Sequence, residues 1–281
     1  MKKYMLIFGF CCSVMGATPA VAGSGNVRFT VHNLSNNDDR NKGLPHEQGP
    51  INRKFFSVNE DQVCVFCHTP HNAKPAVPLW NKFIPGDYNN AGYFKMYTSS
   101  RTLTPTARAA TAPGAVSLLC LSCHDGKTAI NVLHNSKAGS DAPSGGLEVY
   151  NLGDQLVDMG NYPGEVRIQD FSFGFKGATN IGGEPGGDVN AGNLLSDDHP
   201  IGFSYTAAQA QSNNRLNDLA SVSTKSGGKI RFFAPNNSVE CSSCHDPHVN
   251  YSAGPGAVAE LRPFLAMSNT GSSMCLACHN K

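Results

Sequence analysis

The chain has one tryptophan in 281 residues and only 15% charged side chains. It also lacks an apolar run long enough to cross a bilayer, which takes about 20 residues in a helix. Lysine and arginine (22) nearly balance aspartate and glutamate (21), so there is no basic excess to mark a nucleic-acid partner. Long helices are disfavoured by 29 glycines and 17 prolines, with many Asn and Ser between them. These shortages describe a chain that cannot build a large regular core from its own side chains.

Cysteine and histidine are what it has instead. Four copies of Cys-x-x-Cys-His occur: Cys64-Val-Phe-Cys67-His68, Cys120-Leu-Ser-Cys123-His124, Cys241-Ser-Ser-Cys244-His245 and Cys275-Leu-Ala-Cys278-His279. Each is the attachment pattern of a c-type haem. Two thiols add across the two vinyl groups of one porphyrin edge, and the histidine becomes the proximal iron ligand. A zinc ribbon would pair its Cys-x-x-Cys elements about 15–20 residues apart, which these spacings do not match. The expected cofactors are therefore four covalently attached haem c groups.

Residues 1–22 read as a secretory signal peptide: Lys2 and Lys3, an apolar stretch from Tyr4 to Met15, then Ala20-Val21-Ala22 before cleavage. Cys11 and Cys12 leave with it, and the other eight of the ten cysteines are the eight motif thiols. Phe8-Gly9-Phe10 ahead of them suits a lipid anchor poorly. The expectation is an exported protein, extracellular or periplasmic, without a membrane span. Two of the 22 basic residues lie in the signal, so 20 face 21 acids afterwards, before any haem propionate is counted.

The fold class expected is a multihaem cytochrome c, mostly irregular with short helices and a few short strands, the haems forming the core. Apoprotein should be largely unfolded, because a site that binds only the folded state couples binding to folding. An internal duplication organises the chain. Cys64 to His71 (Cys-x-x-Cys-His-Thr-Pro-His) resembles Cys241 to His248 (Cys-x-x-Cys-His-Asp-Pro-His), and each is followed by a plainer motif. This gives an N-terminal arm (23–50), a first di-haem unit (51–135), a cysteine-free Gly-rich insert (136–238) and a second di-haem unit (239–281). Residues 79–103, with Trp80, Phe83, Tyr88, Tyr93, Phe94 and Tyr97, are read as rings packed on haem edges. Residues 171–175 suggest a short strand and residues 207–219 a short helix.

Four irons need four distal ligands. Methionine is the competitor, but beyond the signal only Met96, Met159, Met267 and Met274 are available, and Met274 abuts Cys275. Histidine at all four sites is the better reading. His71 and His248 follow their proximal histidines by three residues, too few to round a porphyrin edge, so each should serve a neighbour. The expectation pairs His71 with the haem on Cys120 and Cys123, and His248 with that on Cys275 and Cys278. His32 and His199 are then candidates for the remaining two, with a nearby aspartate accepting the spare ring N–H. His46 and His134 are surplus.

At these residues the chain resembles a known family, the exported tetrahaem cytochromes with doubled motifs. Some of its members polymerise into extracellular conducting filaments in metal-reducing bacteria. The matching stretches are His32-Asn-Leu-Ser, Cys64-Val-Phe-Cys-His-Thr-Pro-His-Asn-Ala, Pro78-Leu-Trp-Asn, Leu119-Cys-Leu-Ser-Cys-His-Asp-Gly, Asp197-Asp-His-Pro-Ile, Cys241-Ser-Ser-Cys-His-Asp-Pro-His and Cys275-Leu-Ala-Cys-His-Asn-Lys. The resemblance implies bis-histidine haems and an electron-carrier role rather than an enzyme's. It supports His32, His71, His199 and His248 as distal ligands. It also implies other cytochromes or redox proteins as donor and acceptor, or an extracellular metal oxide as acceptor. A homopolymer in which His32 reaches a neighbouring subunit is the filament form of the same idea.

The competing classes are a nitrite, hydroxylamine or tetrathionate-type reductase with one open iron, and a haem-dependent sensor or scaffold. No lysine replaces a proximal histidine, and no signalling domain is visible. Intact-mass analysis of the purified exported protein should show four haem adducts and no thiol free to alkylate.

Overall fold

The computed structural model describes residues 27–36, 55–57, 59–71, 73, 78–125, 130–137, 140–141, 155–156, 159–161, 181, 194–251 and 256–281. The signal peptide, His46, residues 171–175 and the Gly-rich stretch at 182–192 lie outside the described residues. No helix among the described residues is long and apolar enough to cross a membrane.

Regular structure is short throughout. The longest described helix, α2 (Ala115–His124), has 10 residues and carries the second motif at its end. Ahead of it, α1 (Pro105–Arg108) starts on Thr104, whose side chain accepts the Ala107 N–H, with proline at the first helical position. The helix expected over 207–219 is two helices, α3 (Tyr205–Ala210) and α4 (Leu219–Ser226). Asn213 (φ 52°) and Asn214 (φ 62°) adopt the left-handed conformation and end any continuous helix between them. Asp218 restarts the chain by accepting the Ser221 N–H at 2.8 Å, and Gly227 (φ 58°) closes α4. Two further short helices, α5 (Cys241–Cys244) and α6 (Ser273–Cys278), are built from the third and fourth motifs.

Strands are two or three residues long. In order they are β1 (Phe55–Ser57), β2 (Lys95–Met96), β3 (Val132–Leu133), β4 (Ser140–Asp141), β5 (Gln155–Leu156), β6 (Met159–Asn161), β7 (Leu194–Leu195), β8 (Phe203–Ser204) and β9 (Ser238–Val239). β1 pairs antiparallel with β6, and β3 and β4 both pair with β5. β2 runs parallel to β7, and β8 antiparallel to β9. These pairings fasten the cysteine-free stretch to the segments that carry motifs. β9 leads directly into the third one.

Two apolar clusters share the burial. Tyr88, Phe94, Met96, Leu118, Leu121 and Leu195 form one around α2. Three rings of the aromatic segment pack on one another: Tyr88 and Phe94 meet edge to face at 5.2 Å, with Tyr93 beside both. The Tyr88 hydroxyl donates to buried Asp125, just past His124. Tyr205, Val222, Ile230, Val239 and Ala277 form the second cluster, between α4 and α6. Ile201 packs against both.

Residues 27–36, expected as part of an extended arm, are instead folded in. Thr30, Asn33 and Ser35 are fully buried. The Asn36 N–H donates to the Glu60 carbonyl at 2.8 Å, and the Ser57 N–H to the Leu34 carbonyl at 2.6 Å. Buried polar groups are tolerated when bonded in this way.

Gly202 tests the close approach between the two halves. Its φ is +75°, its N–H donates to the Val239 carbonyl at 2.8 Å, and a Cβ there would overlap the Ala112 carbonyl oxygen. Gly202→Ala should cost about 1–3 kcal/mol in denaturant unfolding of the haem-loaded protein. Gly86→Ala, with open space around it, should be close to neutral.

Candidate metal centre

Each motif is wound into a single turn. The proximal N–H of His68, His245 and His279 donates to the carbonyl of the first cysteine of its motif, at 2.7, 3.0 and 2.8 Å. That turn gathers two thiols and an imidazole on one side, because residues three and four apart share a helical face. Beside the first motif lies a cavity of about 510 Å³ lined by Cys64, Val65, His68, Thr69, Pro70 and His134 among others. This is the size range of a cofactor pocket.

A crossing segment locks three of the four turns. Isolated antiparallel bridges join His68 to Trp80, His245 to Leu265 and His279 to Leu216. The bonds repeat in kind. Thr69, Asp246 and Asn280 donate to the Leu79, Phe264 and Arg215 carbonyls at 2.9, 2.8 and 2.8 Å. In return Asn81, Ala266 and Asn217 donate to the Cys67, Cys244 and Cys278 carbonyls at 2.9, 2.8 and 2.8 Å. Leu79 (φ 64°) and Phe264 (φ 57°) hold the left-handed conformation at matching places, a strain that non-glycine residues keep where the surroundings enforce it. The fourth turn is met by Ile181, whose N–H donates to the His124 carbonyl at 2.9 Å.

The crossing segments also fix ring tautomers. Nδ1 of His68 donates to the Pro78 carbonyl at 2.8 Å, and Nδ1 of His245 to the Pro263 carbonyl at 3.1 Å. Away from the motifs, Nδ1 of His32 meets the Pro247 carbonyl at 3.4 Å and that of His199 the Pro200 carbonyl at 2.9 Å. His248 donates to Asp246 at 2.8 Å. With Nδ1–H engaged, Nε2 carries the lone pair, which is the arrangement metal-ligating histidines use. The expected aspartate partner thus occurs at His248 and not at His199. Its bond to His248 holds the Asp246 carboxyl below the usual range. Burial, followed by repulsion from His124, pushes His32 down to about 4, so that imidazole is neutral and able to ligate at ordinary pH.

Imidazoles meet in twos. Ring centroids of His68 and His248 are 6.3 Å apart, those of His32 and His124 6.0 Å, and those of His199 and His279 6.4 Å. Two metal–nitrogen bonds of about 2.0–2.1 Å, with the half-width of each ring added, give roughly 6 Å. Among the described residues no cluster of His, Cys, Asp and Glu is placed to hold a bare metal ion. The donor set fits haem: two thiols and one imidazole per turn, with a second imidazole across from three of them.

The partners differ from those expected. His248 faces His68 of the first motif, not the fourth, and His32 faces His124 of the second. His199 faces His279 of the fourth. The sequence reading paired neighbours in the chain, whereas the Asp246-Pro247 turn carries His248 across to the other unit. His32 is also not free to reach a neighbouring subunit. It stacks on Phe264 of its own chain at 4.2 Å as well as facing His124. His71 is exposed and does not face His124; its carbonyl accepts from the Thr69 hydroxyl and the Asn135 amide. Among the described residues no imidazole lies opposite His245. Surplus His134 lines the first cavity and donates its N–H to Asn81.

The thiols run in chain order. Cys67 is pushed up to about 12 by burial and then by Cys123. Cys120 is raised by its contact with Cys241 and by burial. Cys244 rises to about 11 through burial, then Cys278 and Cys275. Each motif is thus the neighbour of the next.

Sequence reasoning missed the crossing segments and the residues at the unit junction, Ser117 and Glu240. The trace they leave is slight: a proline two positions ahead of a large apolar residue, Pro78-Leu-Trp80 and Pro263-Phe-Leu265. No protein-family model matches the chain, and no curated protein matches it significantly.

In the haem-loaded protein, His248→Ala should open the iron held by His68 and leave the other pairs intact. Electron paramagnetic resonance should gain one high-spin ferric signal, with four haems still counted by mass.

Proposed function

We propose that the chain is an exported tetrahaem c-type cytochrome that relays electrons. One observation carries this: three motif histidines each have one imidazole from a distant part of the chain at a separation that takes a metal between them. Haem, when bound, supplies one-electron iron chemistry at each site. The chain does the rest. Cys64, Cys67, Cys120, Cys123, Cys241, Cys244, Cys275 and Cys278 would anchor the groups, and His68, His124, His245 and His279 would supply one iron ligand each. His248, His32 and His199 would supply the second and so exclude substrate.

His245 has no imidazole opposite it among the described residues. His71, the duplicate of His248, is exposed and its carbonyl accepts from Thr69 and Asn135, so the ligand count alone names it for that face. The neighbouring thiols support a single file in the order first, second, third, fourth motif.

The duplication also supports a polymeric form. Inside the chain the second motif abuts the third, with Ser117 buried and Phe264 covering His32. The corresponding residues at the free ends are exposed: Ser272 before the fourth motif and Leu79, 45% exposed, beside the first. Cys64 and Cys275, the matching thiols, are the two exposed ones among the eight. A second copy set head to tail repeats the internal junction, a heterologous contact that does not close.

His245 is the observation that favours a second reading, an oxidoreductase with one open iron. Carbon monoxide addition to the reduced, fully loaded protein separates the two. The relay reading expects no adduct, and one adduct per chain would favour the enzyme. For the polymer, Leu79→Arg and Ser272→Arg should each be monomeric, and their mixture should stop at dimers by light scattering. A Leu79→Arg protein that dimerises alone would reject the head-to-tail contact.

A further inference from the structure

We infer that Glu240 is the positioning residue that sets how the two halves of the relay meet; this rests on the relay reading. Glu240 stands immediately before Cys241 and is 3% exposed. A buried carboxylate is costly unless its oxygens are bonded. Its Oε2 accepts both the Gly114 N–H at 3.1 Å and the Ser117 hydroxyl, at the cap and in the first turn of α2. Unpaired N–H groups and the helix dipole favour an anion there. Ser117 in turn accepts the Cys241 N–H at 3.0 Å, and the Glu240 N–H donates to the Ser243 hydroxyl at 3.0 Å. Both the side chain and the backbone of Glu240 are therefore fixed. One carboxylate ties the start of the helix carrying Cys120, Cys123 and His124 to the first residues of the third motif. Gly114 admits it, since a Cβ at that place would overlap the carboxylate.

The attachment chemistry gives no reason for this acid. The residues preceding the first cysteine of the other motifs are Val63, Leu119 and Met274, all apolar. Only at the junction between units is that place acidic, and only there does it reach another motif's helix. The helices that carry Cys120 and Cys241 pack together across it, so a shift of the carboxylate changes the distance between the second and third sites. Nothing in the clamp requires a full negative charge. A glutamine carbonyl at the same place accepts both bonds.

The test uses the haem-loaded protein and three variants, Glu240→Ala, Gly114→Ala and Glu240→Gln. Each is assayed for haem count by mass, for the Soret exciton couplet by circular dichroism, and for internal electron exchange after pulsed one-electron reduction. In that exchange one electron leaves a reduced site in one half and reduces a site in the other, with no bond or proton transferred. Glu240→Ala and Gly114→Ala should keep four haems and the low-spin spectrum, alter the couplet, and slow exchange between halves tenfold or more. Glu240→Gln should restore the wild-type rate. If the alanine variants lose only melting temperature while couplet and rate stay unchanged, Glu240 is structural and the inference fails. Where Glu240→Ala does not load haem, Glu240→Asp, one methylene short of Gly114, carries the same expectation. Fewer than four haems in the wild-type protein would instead sink the relay reading itself.

Discussion

The structure depends on hydrogen bonds at the back of five imidazoles. A histidine ring has two nitrogens, and a metal needs one of them deprotonated and aimed. Here a backbone carbonyl or a carboxylate takes the Nδ1–H of five histidines, and four of the acceptors are carbonyls of Pro78, Pro263, Pro247 and Pro200. Proline donates no N–H, and its ring restricts the backbone. A proline carbonyl is thus a fixed acceptor on a chain with few other rigid parts. The strained residues that follow, Leu79 and Phe264, turn the chain so that the same short segment both accepts the ring proton and pairs with the motif main chain.

This arrangement explains how a chain rich in glycine and poor in long helices can be ordered. Its longest contacts join residues far apart in sequence. His32 meets His124, His68 meets His248, and Asn217 donates to Cys278. Each closes a loop whose entropy cost grows only slowly with length. On the proposed reading, covalent and coordinate bonds fasten those loops where a hydrophobic core would otherwise have to.

The four Cys-x-x-Cys-His turns were legible in the sequence because each is local, five residues in one turn. Counting named four further histidines, of which His32, His248 and His199 stand near motif histidines while His71 is exposed. Which motif each one meets was not legible. His248 stands three residues from His245, and nothing in that interval reveals that Pro247 directs it to the other unit while its own carbonyl supports His32. Residues 27–36 looked too polar to be buried, since pattern alone does not show that Asn33 and Ser35 satisfy each other at 2.6 Å. The split between α3 and α4 was in view as Asn213-Asn214, but an asparagine pair marks a left-handed turn only when tertiary contacts ask for one.

The two apolar clusters and the polar junction divide the labour. One cluster packs the aromatic segment 88–96 on α2, and the other packs α4 on α6, so each half is held by its own burial. Where the halves meet, the described polar contacts include Glu240 with Ser117 and Gly114, and Thr106 with Gln211, while Ile201 packs against both clusters. Apolar contacts are undirected, and small shifts cost them little. Hydrogen bonds to a buried carboxylate fix distance and angle, and leaving one unmade is expensive. On the proposed reading, a relay needs each half to be stable and the gap between halves to be reproducible, and these are different demands. The burial would serve the first, and the carboxylate clamp the second.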